Sequence, residues 1–191
     1  MSSPMGGATT EPGLVQRFEA AATRRNTLVA FGAFILATVL IQTVGFRPEV
    51  TEMASGPLPE TAFLYSTEDV STVLDSLGSE GRSLYVNALL IDFGFVVTFA
   101  FGLGLPLANL LPRLTDNMAV RSFALAPAVA GALDAVENVV LLYAINTFPD
   151  MPGAAISVAS IFTTVKLVLL FGSLLVLVVA ALAVGVRSVM N

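Results

Sequence analysis

Apolar residues gather in four long blocks, at 27–46, 84–111, 120–148 and 154–186, with polar joints between them. A helix needs about 20 apolar residues to cross a hydrocarbon core about 30 Å thick, and each block meets that length. The last three are long enough to tilt or to extend beyond the core. Within the joint at 47–83, the stretch YSTEDVSTVLDSLG carries a shorter helix signal. Ser66 and Asp69 form a capping pair, Gly78 is a stop, and Val70, Val73, Leu74 and Leu77 recur at i, i+3, i+4 and i+7. The pattern predicts an all-α membrane protein: a four-helix transmembrane bundle over 27–187, with one amphipathic helix in the first extracytoplasmic loop. Residues 1–26 are polar and rich in Gly, Pro, Ser and Thr, and are expected to be a flexible cytoplasmic tail. In that tail, LVQRFEAAA can form a short interfacial helix.

Arginines set the expected orientation. Arg17, Arg24 and Arg25 precede the first block, Arg113 and Arg121 lie between the second and third, and Arg187 ends the fourth. Only Arg47 and Arg82 fall on the other side, so positive charge inside places both termini in the cytoplasm of a multi-pass protein of the cell membrane. The loop 47–83 is then outside, and holds Glu49, Glu52, Glu60, Glu68, Asp69, Asp75 and Glu80, half of all the acidic residues.

Composition narrows the chemistry. The chain is 55% hydrophobic and 12% charged, about half the charge that a water-exposed domain carries. Cys, His and Trp are all missing, which excludes disulfides, zinc held by His or Cys, haem on such ligands, and any triad built on His or Cys. No cofactor and no dedicated metal site is expected. A net charge of −5 argues against a nucleic-acid partner, so the expected partner is the lipid bilayer.

Polar side chains interrupt three of the blocks at matching depths. In GALDAVENVV, Asp134, Glu137 and Asn138 stand at i, i+3 and i+4 and share one helix face. A charge at mid-membrane costs at least about 2.5–3.5 kcal/mol, so this face is expected to meet protein or water rather than lipid. Asp92 lies eight residues into the second block and Lys166 twelve into the fourth, while Asp134 and Glu137 lie fourteen and eleven before Phe148. At about 1.5 Å per residue, all four sit roughly 12–21 Å below the outer surface. Thr163 is one turn from Lys166, and Gln42 on the first block can line an approach from outside. Gly94, Thr98 and Gly102 offer a small-residue strip for close helix contact, and Pro127 predicts a kink two turns before Asp134.

The succession of Gly81, Arg82 and Tyr85, an intramembrane Asp, DxxEN, and a Thr-rich turn ending in Lys resembles a family of small four-helix bacterial integral membrane proteins. The resemblance covers residues 60–180 and implies the architecture alone.

Three acids against one lysine leave a charge of −2 when all are ionised, which a poorly solvated layer does not keep. Either one or two carboxyls hold a proton, or a cation completes the site. The favoured expectation is a small polytopic protein binding a cation, a proton or an amphiphilic ligand at Asp92, Asp134, Glu137, Asn138, Thr163, Lys166 and Gln42. An intramembrane enzyme doing acid/base chemistry on a lipid or isoprenoid is the second. A structural or assembly subunit, with the polar layer as interhelical glue, is the third. Four helices are few for an inverted-repeat transporter unless the chain forms a homo-oligomer.

Overall fold

The computed structural model describes residues 12–44 and 46–190, so residues 1–11 of the predicted tail lie outside the described residues. Helix α1 (Leu14–Ala21) and helix α2 (Arg24–Thr43) meet at Thr23, whose hydroxyl accepts the Asn26 N–H at 3.2 Å. That cap starts α2 three residues ahead of the apolar block. After α3 (Phe46–Met53) and a 3₁₀ turn at Pro59–Thr61, the chain enters α4 (Thr67–Leu110). The short α5 (Met118–Arg121) leads through a 3₁₀ turn to α6 (Ala126–Thr147), and α7 (Gly153–Met190) completes the chain. Helices α2, α4, α6 and α7 are long and apolar enough to cross a membrane. No strand occurs among the described residues.

Ser66 and Asp69 cap α4 reciprocally: the Ser66 N–H reaches the Asp69 carboxylate at 2.8 Å, and the Asp69 N–H reaches the Ser66 hydroxyl at 3.1 Å. Within α4 the backbone leaves helical geometry at a single residue, Gly78, with φ 59° and ψ −169°. That region of backbone space is close to glycine-only, and no neighbour would crowd a Cβ there, so conformation alone explains the residue. The segment before Gly78 buries Val70, Val73, Leu74 and Leu77 against the top of the molecule. Pro127 corrects the kink expectation. It lies in the first turn of α6, directly after a 3₁₀ turn, where its missing N–H interrupts no helical bond.

Helix α4 is the axis of the fold and packs against α2, α6 and α7, while α6 also packs along α7. Contact with α2 is closest at Gly102, where a Cβ would stand 2.3 Å from Phe34 Cβ and 3.0 Å from the Ala30 carbonyl. Gly94, in the same predicted strip, has nothing within 4 Å of such a position. Helix α1 lies against the far end of α4, with Phe18 beside Phe101 and Glu19 paired to Arg121. Two apolar cores result. One gathers Val50, Leu58, Leu74, Tyr85, Leu89, Leu141 and Ile156; the other gathers Phe34, Phe99, Leu103, Leu107, Ala130 and Leu177. The polar residues of α4, α6 and α7 fall between them in each helix.

Candidate functional site

Lys166 is the centre of the polar layer. Its helix face brings Nζ to Asp134 Oδ1 at 2.7 Å and Glu137 Oε2 at 2.6 Å, both one helix away on α6. The third ammonium proton has an acceptor in the Glu60 carbonyl at 3.2 Å. An ammonium with three donors therefore has three oxygens, and two of them are charged, which is what burial of a cation requires. Lys166 is 5% exposed, Asp134 5% and Glu137 0%.

Glu137 is held from the other side as well. The Tyr65 hydroxyl donates to Oε1 at 3.1 Å, and the Thr163 hydroxyl contacts the same oxygen. Thr163 sits one turn before Lys166, so α7 presents both side chains to one carboxylate. Backbone placement of Tyr65 comes from its N–H, which reaches the Ser160 hydroxyl of α7 at 2.8 Å. Burial first, then the Glu137 charge, push the Tyr65 phenol well above its ordinary range, so it remains a proton donor to that carboxylate.

Asp92 stands apart. Its only hydrogen bond among the described residues is from Asn138 Nδ2 to Oδ2 at 2.8 Å. No Lys or Arg lies within salt-bridge reach of it there. Asn138 is fully buried, and its Oδ1 accepts from no group among the described residues. Thus Asp92, Asp134, Glu137, Asn138, Thr163 and Lys166 come together, but as two units: an ion-pair knot around Lys166 and a hydrogen-bonded Asp92–Asn138 pair. Gln42 makes no hydrogen bond to either, and is an exposed residue on the rim of the cleft beside them.

The segment between α2 and α4 adds residues that the block pattern does not reveal. Glu60 is 6% exposed: its carboxylate takes the Arg47 guanidinium at 2.8 Å and the Tyr85 hydroxyl at 2.5 Å. Pro59 opens the 3₁₀ turn that aims Glu60 inward. In the sequence Glu60 is one of seven acids in a polar loop, and only the flanking Pro57 and Pro59 hint at a fixed turn. Tyr65 and Arg47 carry no local signal at all.

A cleft of about 310 Å³ reaches this layer, and its lining is divided. Arg47, Glu60, Asp92, Asp134 and Lys166 form the polar part. Phe95, Phe99, Leu167, Leu170 and Phe171 form the apolar part. The division follows helix geometry: Asp92, Phe95 and Phe99 are at i, i+3 and i+7 on α4, and Lys166 and Leu170 are at i and i+4 on α7. Among the described residues no group of three or more carboxylates is arranged to hold a metal ion. No family model, curated protein or solved structure matches the chain.

Proposed function

We propose that this is a multi-pass membrane protein, both termini cytoplasmic, that binds an amphiphilic molecule in the cleft between α2, α4 and α7. The observation that carries this reading is the division of one cleft into a charged end and an aromatic and aliphatic end. A purely polar solute leaves the Phe95, Phe99 and Phe171 wall without a partner, and a purely apolar one leaves the charged end desolvated and unpaired. An amphiphile satisfies both. Its direction also suits a membrane: α4 and α7 both run from the loop side inward, so the charged end lies toward the outer face and the apolar end toward the midplane. Head up and tail down is the posture of an outer-leaflet lipid. The helix that precedes Gly78 then forms part of the outer cover of a four-helix bundle.

Broad exposure of apolar side chains supports the bilayer setting. Leu28, Leu36, Leu175, Val179 and Leu182 are each more than half exposed, on helices α2 and α7 that are otherwise suited to lipid. Asp92 and Asp134 lining one cleft also keep acid/base chemistry on the bound amphiphile as a second reading, with one carboxyl as acid and the other as base.

The test is co-purification. Protein extracted in mild detergent is expected to carry an amphiphile enriched over the bulk lipid extract. Leu170→Trp fills the apolar end and is expected to lose it while helicity and elution volume stay unchanged. A wild-type protein with no enriched amphiphile would refute the reading. Turnover of that molecule, lost in Asp92→Asn while binding persists, would select the enzymatic version.

A further inference from the structure

We propose that the ligand is a resident lipid of the outer leaflet that enters the cleft sideways, between α2 and α7, and leaves part of its hydrocarbon in the bilayer; this rests on the amphiphile-binding reading above. Among the described residues α2 packs along α4 and leaves α7 nearly untouched, and Phe34 is the one buried residue of α2. Helix packing therefore does not seal the side of the cleft between α2 and α7. Three of the residues lining the cleft are themselves exposed: Gln42 near the end of α2, Thr61 in the segment between α2 and α4, and Phe171 on α7. Phe171 follows Lys166 by five residues, about 7–8 Å deeper along α7. The exposed lining thus runs from polar at the outer end to aromatic below, along one slot in the side of the molecule. Phe63 stacks on Phe171 beside it, ring centres 6.4 Å apart, and both rings are more than half exposed.

Polarity selects a bilayer lipid over a water-borne amphiphile. A lipid moving sideways keeps its head level with Gln42 and Thr61 and its chain level with Phe171, so no hydrocarbon crosses water. From the aqueous side the same chain would pass the charged end first. Arg47 lines both the cleft and a second cavity of about 550 Å³ beside it. It is tied to Glu60, which also holds Tyr85 and, through its carbonyl, Lys166. Size points the same way. At about 310 Å³ the cleft is at the small end of sites for one drug-sized molecule, about 300–1,000 Å³, so a lipid's remaining hydrocarbon projects through the slot.

Ile35 and Leu175 border the slot without lining the cleft: Ile35 is seven residues before Gln42 on one face of α2, and Leu175 four after Phe171 on one face of α7. Both are exposed, and the chain has no native cysteine, so Ile35→Cys with Leu175→Cys gives a pair that a bis-maleimide can bridge across the slot. Delipidated full chain is reloaded in nanodiscs of bacterial polar lipid extract, bridged either before or after reloading, and its retained lipid is measured by mass spectrometry. Enrichment of an amphiphile over the nanodisc lipid is expected when the bridge follows loading, and its loss when the bridge precedes loading. Equal enrichment in both orders would overturn the sideways route while leaving the cleft as an amphiphile site; no enrichment in the wild type would overturn both. A second measurement needs no substitution. Phosphatidylethanolamine carrying a diazirine in one acyl chain, present only in the nanodisc bilayer, is expected to label the buried cleft residues Phe99 and Leu167 as well as the exposed Leu175 and Leu182. Labelling confined to the exposed leucines would overturn the sideways route, even where the bridged protein does not fold.

Discussion

Lys166 and its two carboxylates form a unit whose members cannot be removed singly. Substituting Lys166 by Met leaves Asp134 and Glu137 buried and facing each other, and is expected to destabilise the fold by about 3–5 kcal/mol. Converting Asp134 to Asn and Glu137 to Gln in the same chain is expected to recover most of that loss, because the neutral amides need no counter-charge. Unfolding in mixed micelles measures both; a Lys166→Met loss below about 1 kcal/mol would mean that water reaches the knot. Tyr65 gives a pH signature. Its phenol is held protonated in the fold, so its contribution is full below the ordinary tyrosine value of about 10 and falls as pH rises above it, where the unfolded chain ionises first. Tyr65→Phe removes the bond to the Glu137 carboxylate, costs about 1.5–3 kcal/mol at neutral pH, and is expected to unfold with a shallower alkaline loss than wild type. Equal slopes in the two proteins between neutral and strongly alkaline pH would contradict this.

At the scale of helices, the two glycines of the small-residue strip on α4 differ in use. Gly102 faces Phe34 and Ala30 of α2 with no room for a methyl group, whereas Gly94 faces open space. Gly102→Ala is therefore expected to push α2 away and cost about 1–3 kcal/mol. Gly94→Ala should be neutral or stabilising by about 0.5–1 kcal/mol, since it replaces a flexible residue inside a helix. Equal effects of the two changes would show that helix propensity, not contact, governs both. The same contrast explains why spacing alone could not choose between them: small-xxx-small marks a helix face that permits close approach, and the partner's position decides which residue is approached.

For the molecule as a whole, orientation is the open consequence of charge. With Arg17, Arg24, Arg25, Arg113, Arg121 and Arg187 at one end of the long helices, reporters fused to either terminus are expected to read as cytoplasmic. A terminus accessible to protease on intact cells would reverse the assignment, and with it the outer-leaflet posture of the ligand. The missing cysteines make single-Cys labelling from each side a clean second check.

Four long helices, the cap at Ser66 and the break at Gly78 were legible in the chain, and counting along the blocks put Asp92, Asp134, Glu137 and Lys166 at one expected level. Each depends on local rules with a fixed period: length against membrane thickness, 3.6 residues per turn, and cap or stop residues at set offsets. Which carboxylates Lys166 takes was decided in three dimensions. Depth follows from counting along each helix, but pairing depends on how neighbouring helices are rotated about their axes, and no single helix encodes that. Glu60, Arg47 and Tyr65 belong to the tertiary structure for a related reason. Arg47 reaches the layer from the short helix α3, and Glu60 and Tyr65 from the loop after it, with Tyr65 72 residues from Glu137 and Glu60 106 residues from Lys166. Such a loop has no period to read, and its hydrogen bonds go to residues distant in sequence.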